Sequence, residues 1–217
     1  MALLDSNNHS NAPRSDSAPQ PGAIPHDYLA RLPVLHAEAA RDARLGGFLS
    51  RSVQAAGLLM LAGAASLFAG GGTLQSDFVW SVLVLAGIAA MIVNYLRGQP
   101  GTANRVNLDV AAADLRAILL YTGFAWGAGA FLALPAAPGA ALALAFAAGP
   151  ALLMAVLLKD EGGVAAFAGP CFGLAVTAAL VKHWPEGRII APVLLAGWIA
   201  VILLSHRNAL RLERRAA

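Results

Sequence analysis

The sequence predicts an all-α membrane protein, a bundle of six transmembrane helices with both termini in the cytoplasm. Hydrophobic residues make up 58% of the chain and charged residues 12%, against about 45–50% and about 25% in soluble domains. A soluble fold of 217 residues has too little interior for that much apolar surface. Six apolar stretches, each close to the roughly 20 residues that a membrane-spanning helix needs, account for the excess.

The region before the first apolar stretch divides into two parts. Residues 1–26 are rich in Ser, Asn and Pro and are expected to be a disordered cytoplasmic tail. Between 27 and 51, Leu29, Leu32 and Leu35 recur at a helical spacing. This pattern is typical of a helix that lies on the membrane surface or against a partner chain.

The transmembrane bundle is predicted over residues 52–205, and its spans are joined by short connections. The spans are expected at about 52–70, 78–96, 117–134, 140–158, 164–181 and 189–205. Short connections leave consecutive helices as antiparallel neighbours. Residues 206–217 are expected to continue the last helix into the cytoplasm as a connector.

The distribution of positive charge predicts the orientation. With six spans, thirteen of the fifteen lysines and arginines fall on the side that holds both termini. Only Lys182 and Arg188 fall on the other side. Because cytoplasmic loops carry the excess of Lys and Arg, both ends are predicted to be cytoplasmic in a bacterial inner membrane. Because the positive charges lie at the ends of the spans and orient the protein, we expect the lipid bilayer to be its partner and expect no nucleic-acid binding.

The spans contain almost no ionisable groups, which disfavours several classes of function. A proton-coupled transporter or ion pump normally needs an acid inside the membrane. A haem held between helices needs two histidines at one depth, and His183 and His206 fall on opposite sides. The single cysteine, Cys171, excludes a cysteine-based metal cluster. We therefore expect no catalytic residue, no metal and no cofactor in these residues.

Two similar Gly-Pro sites are candidate hinge or ligand positions. Gly149-Pro150 ends AFAAGP in the fourth span, and Gly169-Pro170 ends AFAGP in the fifth. A proline inside a helix removes one hydrogen bond and bends the helix, so the pair predicts a hinge or a small cavity. The alternative is close packing of small residues, with neighbouring helices satisfying the freed carbonyls.

Two tryptophans fall near the middle of their spans. Trp126 and Trp198 differ in this from Trp80 and Trp184, which are expected at the membrane interface, where tryptophan is enriched. We expect the two mid-span rings to fill grooves between helices. A ligand pocket lined by aromatic rings is the alternative.

The end of the chain, SHRNALRLERRAA, has a seam of small and apolar residues suited to pairing. The seam residues recur at spacings of 3, 4, 3 and 4, typical of a parallel two-helix contact; they are Ile202, Ser205, Ala209, Leu212 and Ala216. The alternative is a basic segment attracted to anionic lipid head groups.

Three features together resemble a known kind of module. They are RAILLYTGFAWGAGAFLALP at 116–135, the Gly-Pro pair in GPALLMAVLL and AFAGPCFGLA, and the exit RNALRLERR. They resemble the N-terminal multi-span sensor modules of bacterial sensor histidine kinases and diguanylate cyclases. The resemblance implies a homodimeric input domain that relays a membrane-side signal through its last helix to a cytoplasmic output domain. The family's phosphoacceptor, ATP-binding and cyclase sequences do not occur in these residues.

Two other functions remain open from the sequence. The paired Gly-Pro breaks are also consistent with a transporter or channel for a small neutral solute. The small-residue faces and few polar groups are consistent with a non-catalytic assembly or scaffold subunit of a larger membrane complex.

Overall fold

In a computed structural model, which describes residues 26–69, 73–98, 108–135, 138–184 and 187–216, the chain folds into six α-helices. Their bounds are α1 His26–Ala69, α2 Leu74–Arg97, α3 Leu108–Leu132, α4 Ala140–Leu157, α5 Glu161–Val181 and α6 Gly187–Ala216. Each of the six contains a stretch long and apolar enough to cross a membrane. The predicted fold class, an all-α protein with six candidate spans, is confirmed.

The first helix is longer than the sequence predicted. α1 has 44 residues and passes without a break through the predicted boundary between residues 51 and 52. The cause is a buried face that continues across that point: Phe48, Ser52, Ala55 and Leu59 are all buried and lie three or four residues apart. The prediction of disorder for residues 1–26 falls outside the described residues, except at His26, where α1 begins.

By internal packing the chain divides into two units, Met1–Ala40 and Arg41–Ala217. In the first unit, the described side chains from residue 33 to residue 40 are exposed. All packing described below belongs to the second unit.

Helices α3 and α5 pack backbone to backbone at two glycines of α3. A Cβ atom added to Gly127 would lie 2.9 Å from the Pro170 carbonyl oxygen, and one added to Gly123 would overlap the Phe167 carbonyl. Only glycine fits at these two positions. Such small-residue contacts allow the backbones of membrane helices to touch, so this G-x-x-x-G face fixes α3 against α5 at the centre of the bundle.

The helix α3 begins earlier than its predicted span at 117, because the polar stretch before that point carries a buried apolar face. Ala111, Ala112 and Leu115 are at most 1% exposed. The buried Asn94 side chain of α2 donates a hydrogen bond from Nδ2 to the Ala111 carbonyl at 3.1 Å. This bond holds the end of α2 against the start of α3.

The outward faces of the bundle are apolar. Phe78 and Val82 on α2, and Ile199 and Leu203 on α6, are all about half exposed or more. Together with the six apolar helices, these faces fit a lipid bilayer as the surrounding medium.

Candidate functional site

Three aromatic rings from three helices form one buried cluster. The Trp80 and Trp126 rings meet edge to face with centroids 5.5 Å apart, and Phe146 lies 5.5 Å from Trp126 and 5.8 Å from Trp80. Gly129 makes room for the cluster, because an added Cβ would lie 2.5 Å from both Trp80 Nε1 and Phe146 Cζ. The cluster therefore joins α2, α3 and α4.

A side chain of the cluster compensates for the proline in α4. Pro150 has no N–H, so the carbonyl of Phe146, four residues earlier, has no helical donor. The Trp126 indole Nε1–H donates a hydrogen bond to that carbonyl oxygen at 2.9 Å. A buried carbonyl without a donor is costly inside a membrane protein, so Trp126 makes the proline tolerable at this position.

Next to the cluster, α1, α3 and α4 border a partly open cavity of about 270 Å³. Its lining is almost entirely apolar and consists of Ala62, Ala65, Ser66, Trp126, Leu134, Leu142, Ala145, Phe146, Gly149, Pro150 and Leu153. Three residues that the sequence singled out, Trp126, Gly149 and Pro150, therefore lie at one site. A second apolar cavity of about 170 Å³, between α1 and α2, has Trp80 in its wall.

The two Gly-Pro sites differ in their surroundings. A Cβ atom added to Gly149 meets nothing within 4 Å, and Gly149 lines the larger cavity. Pro170 instead packs against α3, where its Cγ would lie 2.9 Å from a Cβ on Gly123. Gly149-Pro150 thus borders a cavity, as one alternative predicted. At the other site only Pro170 packs against α3, since a Cβ atom added to Gly169 also meets nothing within 4 Å.

Of the two tryptophans that were expected to fill grooves between helices, only Trp126 does so. Trp126 is fully buried and fills a groove between helices, as expected. Trp198 is 37% exposed on the outer face of α6 instead. Trp80 and Trp184 are 1% and 3% exposed, and their position at the membrane interface stays a prediction. Trp80 is buried because Gly129 leaves a space for its ring.

At one end of the bundle, an ion pair connects α3 to the start of α5. Arg116 donates to both carboxylate oxygens of Asp160, at 2.8 and 3.0 Å. Asp160 also caps α5 by accepting a hydrogen bond from the Gly163 backbone N–H at 2.7 Å. The Arg116 guanidinium lies 5.8 Å from the centre of the Phe48 ring of α1, within the range of a cation–π contact.

The same end of the bundle includes the point where α6 passes the start of α5. His206 Nδ1 lies 3.2 Å from Glu161 Oε2, and Glu161 directly follows the capping residue Asp160. Arg41 and Asp109 form a further ion pair of 2.7 Å between α1 and α3. Polar contacts thus connect α1, α3, α5 and α6 at this end.

The predicted pairing seam on α6 is described only in part. Ser205 is 1% exposed, and its Oγ is buried with no hydrogen-bond partner. Ile202 is half-buried. The side chains of Ala209, Leu212 and Ala216 lie outside the described residues. Ser205 therefore faces the chain's own helices, and pairing through the seam stays a prediction.

The opposite end has a cation that caps a helix. The Lys182 ammonium donates to the Phe131 carbonyl at 2.8 Å, at the C-terminal end of α3, where positive charge is favourable. Burial lowers the pKa of this ammonium below its ordinary value. Lys182 therefore has a structural role in addition to its place in the charge distribution.

The sequence reasoning missed Phe146 and the Arg116–Asp160 pair. A signal for Phe146 existed, because Phe146 precedes Pro150 by four residues and its carbonyl must find a donor outside the helix. The Asp160 position also carried a signal, since Asp is a preferred residue directly before the first turn of a helix, where it caps a backbone N–H. Its pairing with Arg116, 44 residues away, had none.

Comparison with known protein families, with curated proteins and with solved structures finds no match to this chain.

Proposed function

We propose that this chain is the membrane-embedded input domain of a bacterial signal-transduction protein of the sensor histidine kinase or diguanylate cyclase type. It dimerises and relays a membrane-side signal to a cytoplasmic output through α6. The bundle senses an event inside the bilayer, and the last helix carries the resulting movement.

The observation that carries this proposal is the continuity of α6. The helix runs for 30 residues, from Gly187 to Ala216, while its candidate span ends at Asn208. A bilayer core takes up about 20 helical residues, so the helix continues beyond the membrane without a break. A continuous helix transmits a shift or rotation, whereas a flexible linker would absorb it.

The contacts where α6 leaves the bundle support a relay. Glu161 contacts His206 of α6, and the adjacent Asp160 binds Arg116 of α3. Any movement of α5 relative to α3 therefore changes the position of the group that His206 contacts. These contacts give the bundle a direct connection to the exit helix.

The proposed orientation places both termini in the cytoplasm. Arg41, Arg116 and His206 lie at the end of the bundle where α6 exits, whereas Lys182 caps α3 at the other end. The excess of Lys and Arg near the exit favours a cytoplasmic position for that end.

A chimera tests the proposal. The chain is joined after Ala217 to the dimerising and catalytic region of a sensor histidine kinase and is reconstituted in liposomes. We expect the membrane domain to control the autophosphorylation rate, so that the Arg116→Met substitution in it changes that rate. A chimera whose rate equals that of the soluble kinase region, with or without this variant, would exclude the relay.

A second candidate function is favoured by the larger cavity. An apolar cavity beside the Gly149-Pro150 break also suits a passage for a small neutral solute. Flux of glycerol and other uncharged solutes into proteoliposomes distinguishes the two functions. Flux above that of protein-free liposomes, reduced in Gly149→Leu, supports transport; equal flux supports the input domain.

A further inference from the structure

We infer that the cavity between α1, α3 and α4 is a binding site for a small apolar molecule with one or two aromatic rings, which reaches it through the bilayer. The geometry of the cavity supports ligand binding independently of the proposed function. Only the role of the bound molecule as a signal rests on the proposed function.

The size of the cavity sets the size of its ligand. An apolar cavity of about 150 Å³ in a protein core holds benzene, and this cavity measures about 270 Å³. There is room for a two-ring molecule. Along α1 the lining residues lie between 62 and 66, about 6 Å of helix, and along α4 they lie between 142 and 153, about 16 Å of helix.

The walls of the cavity set the chemistry of its ligand. Trp126 and Phe146 supply aromatic rings, which favour edge-to-face or offset contact with a third ring. The Trp126 N–H is already bonded to the Phe146 carbonyl. The Ser66 hydroxyl donates to the Ala62 carbonyl at 2.8 Å, so its oxygen can still accept a hydrogen bond. The site therefore suits an uncharged aromatic molecule, with or without one hydroxyl group.

Gly149 keeps the cavity open. A Cβ at this position meets nothing within 4 Å, so a larger side chain would extend into free space at the cavity wall. The room is not required for helix packing, in contrast to Gly123 and Gly127, whose missing side chains allow α3 to touch α5.

Photolabelling of the full chain in liposomes tests the site. The probe is 3-trifluoromethyl-3-phenyldiazirine, a one-ring apolar molecule, and its adducts are mapped by mass spectrometry. We expect adducts at residues 62–66 and 145–153 that excess naphthalene reduces at least about tenfold. The Gly149→Leu variant should lose these adducts to the same extent.

The second Gly-Pro site provides the matched control. Gly169 also has open space around its Cβ position and also precedes a proline, so Gly169→Leu should keep the labelling. Ala65→Leu, which fills the cavity from α1, is a second blocking variant in case Gly149→Leu loses its helical circular dichroism. Neither substitution involves the output domain, so a failure of the chimera experiment would leave this result unaffected.

Two outcomes would overturn the inference. One is labelling spread evenly over the lipid-facing helices and unchanged by naphthalene or by either blocking variant. The other is saturating labelling of the cavity by a diazirine-bearing phosphatidylcholine that naphthalene does not displace, which would identify a lipid chain as the occupant.

Discussion

The indole N–H of Trp126 on α3 lies 2.9 Å from the carbonyl oxygen of Phe146 on α4 and donates a hydrogen bond to it. This is the carbonyl that Pro150 leaves without a helical donor. The bond joins a mid-span tryptophan and a mid-helix proline, two features that look unrelated in the sequence, in one local arrangement at the wall of the larger cavity.

The Trp126→Phe substitution should destabilise the protein by about 1–3 kcal/mol, because it leaves a buried carbonyl without a partner. In a Pro150→Ala background the cost should be smaller by about 1 kcal/mol, since the new N–H of residue 150 can donate to Phe146. Unfolding in mixed detergent micelles measures both values. Trp198→Phe, at an outward-facing tryptophan, should change stability by less than about 0.5 kcal/mol. Equal costs of Trp126→Phe in the two backgrounds would contradict the compensating role.

Much of the fold could be predicted from the sequence, because apolar length and charge placement are local signals. All six helices were expected, and the start of α4 at Ala140 coincides with its predicted start. The early start of α3 could not be predicted, since its first turns are stabilised by contact with α2, where Asn94 donates a hydrogen bond to the Ala111 carbonyl. The extent of α1 was missed for a similar reason, its buried face being defined by neighbouring helices.

The candidate site could be predicted only in its parts. Trp126, Gly149 and Pro150 are each unusual at mid-span, but nothing in the sequence shows that they share a cavity. The two Gly-Pro sites have nearly the same local sequence and different surroundings. Pro170 packs against Gly123 and Gly127, more than 40 residues earlier in the chain, and local patterns carry no information at that distance.

The Gly123→Ala substitution should separate α3 from α5. The added Cβ would overlap the Phe167 carbonyl, and overpacking of this kind typically costs about 1–3 kcal/mol. Gly173→Ala, whose Cβ meets nothing within 4 Å, should be neutral or stabilising by up to about 1 kcal/mol, since Ala favours helix over Gly. The same micelle unfolding assay compares them. Indistinguishable stabilities would mean that the close contact is not needed.

Substitutions at Asp160 should separate its two roles. Asp160→Asn keeps an oxygen for the Gly163 N–H and should cost less than about 1 kcal/mol, because Arg116 is 43% exposed and such pairs contribute little. Asp160→Ala removes the cap as well and should cost about 1 kcal/mol more. Thermal unfolding followed by helical circular dichroism distinguishes them. If the Asn variant is as unstable as the Ala variant, the ion pair contributes more than the cap.

The orientation can be tested with single cysteines in a Cys171→Ala background. Gln75→Cys lies near the start of α2 and Arg207→Cys lies near the exit of α6, and both positions are exposed. We expect a membrane-impermeant maleimide to label Gln75→Cys in intact spheroplasts, and to label Arg207→Cys only after the membrane is opened. The reverse pattern would contradict cytoplasmic termini.

The most direct test of the central claim inserts one to seven helix-forming residues between Ala217 and the kinase region of the chimera and measures autophosphorylation in liposomes. If α6 relays movement as a continuous helix, the rate should rise and fall with a period of about 3.5 residues and return at seven residues to its starting value. A rate that does not depend on the number of inserted residues would contradict the relay through α6.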